Sequence, residues 1–343
     1  MNFTQQLNAN YSMASGQLAR NGSQLDPAST YFREIVASDA AVHILITFFL
    51  LTYCLTLMLN GSVLVALYKS EELSWQPRFI LVKNLLICDL LLASTITSCS
   101  VYALLKWQTM RFGFGCLFQY TVVTVCIFCM IYTLTLMALE RYIYICHAIQ
   151  YINILTSRLI RLVLMSVWLV SVVPCAVYLL LLTLRPAPEG RITSGLLCDP
   201  EILEVYFGYD PTVAAFRKSW GLLTLVTCLL TFAFCYYNMY KKARNVVEPF
   251  NQTNKRARNT VMFYGAMIVL QLSPYLLKSV TDLLFETDST VVHDHRTGNT
   301  LHLTLLIFIV LPPCLNPLIY GLRNKEVRHA ISRISRCPWI VLD

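Results

Sequence analysis

The chain has 343 residues, 56% of them hydrophobic and only 13% charged, with 27 Lys and Arg against 19 Asp and Glu for a formal net charge of +8. That balance is too apolar for an ordinary soluble protein, and because the apolar residues fall in long blocks it points to an integral membrane protein. The positive excess is one of loop placement, so it gives no ground for nucleic-acid binding.

Residues 1–40 carry Asn, Gln, Ser and Thr with few aliphatics, the composition of a flexible leader. Three sequons, at Asn2, Asn10 and Asn21, mark it for glycosylation. It has no apolar core with a small-residue cleavage site, so the first apolar block is expected to direct insertion itself. Seven blocks follow, at 41–68, 79–104, 116–139, 159–183, 216–240, 259–284 and 300–321. Each is long enough to cross a bilayer core of about 30 Å as a helix. The expected fold is an all-α membrane protein, a seven-transmembrane helix bundle over residues 41–322, followed by a cytoplasmic segment, 323–343.

The first span carries Asn60, which must find a partner inside the bundle. The second carries Asp89 between leucines. A carboxylate at that depth is a functional hypothesis by default: a sodium or proton site, or a neutral carboxyl hydrogen-bonded to Asn60 or Asn316. The third runs from Cys116 to Glu140-Arg141, a charged pair that is cheap only near headgroup depth. Taken alone, Arg141 could simply be an interfacial arginine snorkelling beside an acid. In the fourth, Pro174 should bend the helix; the fifth ends in Tyr236, Tyr237 and then lysines. In the sixth, Pro274 deprives the carbonyl of residue 270 of its helical donor and makes a bend point. The seventh holds Pro312, Pro313 and Pro317, and the amide of Asn316 is expected to serve the freed carbonyls. Beyond Gly321, Val327, Ile331 and Ile334 share one face, the pattern of a short amphipathic helix on membrane lipid, with Cys337 as a candidate palmitoylation site.

Lys and Arg concentrate on one side of the membrane, in loops at 69–83, 141–161 and 241–258 and in the tail, whereas the opposite loops are acidic. The positive-inside rule then places the N-terminus outside and the tail inside, in a plasma membrane protein. Of thirteen cysteines most lie within spans, where a thiol is a small hydrophobe. Cys116 at the outer start of the third span and Cys198 in an outer loop are placed to pair in an oxidising exterior, with free thiols the alternative.

Together, Glu140-Arg141-Tyr142 at the inner end of the third span, Asn316-Pro317-Leu318-Ile319-Tyr320 at that of the seventh and the Cys116–Cys198 tether resemble rhodopsin-like G-protein-coupled receptors. The stretches MALERYIYICHAIQY and LPPCLNPLIYGLRNKEVRHAI are similar to the signatures of vertebrate odorant receptors. Ala148, where the family usually has proline, and a single cysteine in the second outer loop suit a divergent fish-type member. The resemblance implies that Arg141 is held by Glu140 and released to meet a heterotrimeric G protein. Tyr320 and Tyr237 would move inward, and Asp89, Asn60 and Asn316 would form the polar centre.

An outer pocket is expected from Tyr120, Val123, Thr124 and Ile127, which align on one helix face, with Tyr275 and Lys278 opposite. Lys278 would hold an acidic odorant or pair with Asp282 four residues on. No carboxylate stands at the level of Val123 to hold an amine, and Val310 replaces a chromophore-linked lysine, so a small, largely apolar ligand fits better than either. No catalytic or metal constellation with useful spacing appears and no cofactor is expected beyond a sodium ion at Asp89. The rival readings are a rhodopsin-like receptor for a peptide or lipid, and a transporter coupled through Asp89, although no internal repeat supports the latter.

Overall fold

The computed structural model describes residues 38–110, 112–184, 210–244, 272–280, 295–318 and 325–335, with scattered residues in 29–36, 196–207 and 262–270. The described residues form helices α1 (Asp39–Lys69), α2 (Glu71–Ser74), α3 (Pro77–Lys106), α4 (Phe114–Cys146), α5 (Tyr151–Ile154), α6 (Ser157–Thr183), α7 (Pro211–Arg244), α8 (His295–Asn316) and α9 (Lys325–Ser335). Of these α1, α3, α4, α6 and α7 are long and apolar enough to cross a membrane, and α8 contributes a shorter apolar stretch, Leu303–Asn316. Described residues between 262 and 280 are helical as well. The chain thus supplies the helices of a seven-span bundle, with the amphipathic α9 after it.

The helices begin where local chemistry dictates. Ser38 accepts from the backbone N–H of Ala41 at 3.2 Å and Asp39 occupies the first turn of α1, so an orphan donor and the helix dipole are both served. Pro77 opens α3, where its missing N–H costs nothing. Thr156 caps α6 through Leu159 N, and Asp210 accepts from Thr212 N at 2.7 Å as α7 begins. At the far end of α3, Trp107 takes a left-handed backbone, φ 54°, unusual for a bulky residue. Its ring meets Phe32 edge-on at 5.7 Å. Phe32, Ile35 and Val36 are buried in the main core, so the last part of the expected leader is packed onto the bundle.

Helices run past the apolar blocks because a helix does not end where hydrophobicity does: α4 continues through Glu140 and Arg141 to Cys146. It packs against α3, α6 and α7 and is the central column of the bundle. Pro174 lies inside α6, and Pro312 and Pro313 inside α8. Two of the carbonyls that prolines deprive of a donor are met by side chains. Ser273 Oγ donates to Leu270 O at 2.7 Å, filling the gap left by Pro274. Pro317 orphans the carbonyl of Pro313, and Asn60 Nδ2 supplies it at 3.0 Å. The structure here differs from expectation, since Asn60 across the bundle does what Asn316 was expected to do.

Candidate functional site

The sites foreseen from sequence occupy three levels of the bundle. At the centre, Asp89 is fully buried on α3, and both its oxygens accept from Asn316 Nδ2, at 2.9 and 2.8 Å. Asn316 thus serves the buried carboxyl. Asn60 Nδ2 also donates to Thr56 O at 2.9 Å. Asn60 Oδ1 is buried without a partner among the described residues, as is the hydroxyl of Tyr275. No described cation bridges to Asp89. An oxygen-only donor set with orphaned atoms suits a hard monovalent cation or a retained proton. Burial of Asn60 also keeps the tripeptide Asn60-Gly61-Ser62, which has the form of a glycosylation sequon, from carrying sugar.

Next to this centre lies a polar tie that sequence reading passed over. Asn84 on α3 donates to Thr133 Oγ1 of α4 at 2.8 Å and accepts from Trp168 Nε1 of α6 at 2.9 Å. Three helices are pinned by one amide, whose two ends are both satisfied. Its signal was present, an asparagine five residues before Asp89 in an apolar span, but spacing alone does not name partners on other helices.

At the Arg141 end, Glu140 is buried and receives two neighbours. Tyr151 Oη of α5 donates to Oε1 at 2.8 Å, and Arg141 Nε lies 3.6 Å from Oε2. Burial, and then the Glu140 carboxylate, push the Tyr151 hydroxyl above the usual tyrosine range, so it remains the donor. Tyr142 points elsewhere, meeting Phe234 of α7 at 5.6 Å. Tyr237 is 66% exposed, whereas Tyr236 packs toward Tyr142 and would touch a Cβ placed on Gly265 at 3.5 Å. The inward tyrosine on α7 is therefore Tyr236: one residue is about 100° of helix, enough to exchange the faces. Arg78 of α3 pairs with Glu326 of α9, joining the amphipathic helix to the bundle. Pro317 is described and buried, while Tyr320 lies outside the described residues.

At the Cys116 end, the Cys116–Cys198 disulfide ties the loop before α7 to α4, and Gln119 Oε1 accepts from Cys198 N at 3.2 Å. Beneath it Tyr120 is buried and meets the Tyr178 ring at 5.7 Å. Tyr178 Oη donates to Glu204 Oε1 at 3.1 Å, and Arg217 Nε donates to the same oxygen at 2.8 Å. Val123, Thr124 and Ile127 continue down α4 half-buried, and Val123 and Ile127 pack against the main core. Tyr275 and Lys278 are half-buried on their helix, while Asp282 lies outside the described residues, as do Asn2, Asn10, Asn21 and Cys337. A separate open groove of about 490 Å³ runs between α3 and α4, lined by Ser94, Ser98, Tyr102 and Phe118 among others, and includes none of the expected pocket residues.

The family model described as 7 transmembrane receptor (rhodopsin family) matches residues 59–320. Olfactory receptor 2AG1 of Homo sapiens is 26% identical over 292 residues, covering 82% of this chain and 85% of its own length. Olfactory receptor 11H4 of Homo sapiens is 26% identical over 307 residues, with 84% and 86% covered. Olfactory receptor 4K17 of Homo sapiens is 23% identical over 314 residues, with 88% and 92% covered.

Proposed function

Because the chain belongs to the rhodopsin family of seven-transmembrane receptors, we propose that it is an odorant receptor whose bound ligand at the Cys116 end activates a heterotrimeric G protein at the Arg141 end. The observation that carries the reading is similarity to olfactory receptors along more than four-fifths of the chain. A receptor of this family is a signalling protein and not an enzyme. The N-terminus faces outside and the tail inside, a reading supported by the distribution of Lys and Arg.

The ligand is small and largely uncharged, held by Tyr120, Val123, Thr124 and Ile127 with Tyr275 and Lys278. It favours one of two arrangements of the bundle, and only its differential affinity for them can drive the change. The moving part is the helix carrying Pro274, where Ser273 serves the carbonyl that the proline frees. At the opposite end the change separates Glu140 from Arg141 and frees the guanidinium for the G protein, with Tyr142, Tyr236 and Tyr320 around it. Asp89, Asn60 and Asn316, with Pro317, form the link between the two ends, and Asp89 with Asn60 Oδ1 holds a sodium ion in the resting arrangement.

Cyclic-AMP accumulation in cells given odorant mixtures tests the reading. The native chain should respond and Arg141→Ala should lose most of the response at equal surface expression. An unaltered response in the variant would remove Arg141 from the mechanism, and silence of the native chain across broad mixtures would remove the odorant reading.

A further inference from the structure

We propose that the open groove between α3 and α4 binds a membrane sterol from the leaflet at the Cys116 end, with the sterol hydroxyl at Tyr102. The site needs only that these two spans cross a bilayer, so it is independent of the odorant reading. The groove has a volume of about 490 Å³, and its lining includes Ser94, Ser98, Cys99 and Tyr102 of α3 with Gly115 and Phe118 of α4. Ser94, Ser98 and Tyr102 are spaced four apart and share one face of the helix. Eight rises of about 1.5 Å separate Ser94 from Tyr102, about 12 Å of depth. That is close to one hydrocarbon leaflet, about 15 Å.

Walls and floor differ in chemistry. Tyr102, 61% exposed, forms one wall, and Phe118, 57% exposed, forms the other. The Phe118 ring stacks on that of Phe114 at 6.4 Å, and Phe114 is 86% exposed, so the second wall is a pair of rings turned to the lipid. Between the walls the floor is made of small residues, Ser94, Ser98, Cys99 and Gly115. Ser94 Oγ donates to Leu90 O at 2.6 Å and Ser98 Oγ to Thr95 O at 3.1 Å. Their O–H groups are turned back into α3, and the floor offers an occupant no donor. No charged side chain lines the groove among the described residues.

Shape and depth select the occupant. A phospholipid headgroup is charged and would find no partner in this lining, and its acyl chains would lose rotamer freedom between two sets of fixed rings. A steroid nucleus is rigid and flat, so it lies against a floor of small residues and between aromatic walls at little ordering cost. Its one hydroxyl rides at the interface. Tyr102 stands one turn before Lys106 ends α3, which puts its phenol at that level. The sequence agrees with the location: Arg111, Phe114 and Leu117, entering the membrane in that order, follow a short pattern proposed for sterol contact, weak alone but coincident with the groove.

The test uses the full chain in sterol-free lipid nanodiscs with a photoactivatable cholesterol as probe, the labelled residues being mapped by peptide mass spectrometry. Labelling should saturate, concentrate between Ser94 and Phe118, and be displaced by cholesterol. Cholesterol with its hydroxyl inverted should displace the probe about tenfold less well, the loss of one hydrogen bond, and Tyr102→Phe should erase that difference. Ser98→Leu fills the floor from the lipid side, where the core is undisturbed, and should weaken labelling about tenfold. Ser98→Ala, whose lost hydroxyl served only α3, should label like the native chain. Labelling spread evenly over the lipid-facing helices, equal displacement by phosphatidylcholine, or native labelling of Ser98→Leu would overturn the sterol site. An inverted epimer as effective as cholesterol would overturn the placement of the hydroxyl at Tyr102. No odorant enters the assay, so each of these outcomes leaves the odorant reading standing.

Discussion

Tyr151 Oη donates to Glu140 Oε1 at 2.8 Å, while Arg141 Nε stands 3.6 Å from the other carboxylate oxygen. The buried acid is therefore oriented by a neutral donor from α5 before its ionic neighbour is considered, and the shorter contact is the one to the tyrosine. Removing that hydroxyl should loosen Glu140 and with it the hold on Arg141. Tyr151→Phe is expected to raise ligand-free cyclic-AMP signalling about fivefold, corresponding to about 1 kcal/mol for one hydrogen bond. Basal signalling no higher than native, at matched surface density, would show that α5 has no part in restraining the pair.

The disulfide makes a coupled prediction. Cys116→Ser and Cys198→Ser should each cut surface delivery severalfold, because the loop tied at Cys198 covers Tyr120 and Tyr178. The double variant should be little worse than either single one. Losses that multiply would mean that the two sulfurs act separately.

The Asn84 tie has a modest expected energy. Hydrogen bonds between helices in a membrane average about 0.6 kcal/mol, because the alternative state also finds partners. Trp168→Phe, which keeps the ring and removes the donor to Asn84, should lower thermal stability in detergent by a few degrees and leave half-maximal ligand concentration unchanged. A shift in ligand response without a shift in stability would assign the tie to signalling instead.

For Asp89 the proposed sodium ion gives a direct comparison. Replacing external sodium with choline should raise the potency of an agonist on the native receptor, since the ion favours the resting arrangement. Asp89→Asn should abolish that dependence. Indifference of the native receptor to sodium would favour a protonated carboxyl held by Asn316.

Much of this architecture is legible in the residue order, because a bilayer leaves few choices to a chain with apolar blocks of 20 or more residues. The pair at Glu140-Arg141 and the Cys116–Cys198 partnership come through for the same reason, each lying where a span meets an interface or an exterior loop. What escapes is rotation about a helix axis and pairing between distant segments. Tyr236 and Tyr237 are indistinguishable by composition, yet about 100° of rotation separates a packed side chain from an exposed one. Asn60 and Asn316 were both visible as amides in apolar surroundings, but which one serves Pro313 and which serves Asp89 depends on the relative depth of α1, α3 and α8. Glu204 looked like one more acid in an acidic loop. Its engagement with Arg217 and Tyr178 needs the loop folded back over the bundle, a relation that no periodicity carries.

The burial of Phe32, Ile35 and Val36 has a practical side. Heterologous production of a membrane protein commonly joins a tag or carrier to the amino terminus, and replacing the whole leader would strip Trp107 of its aromatic neighbour. Fusion partners belong ahead of residue 29, so that the buried Phe32, Ile35 and Val36 keep their places against the bundle.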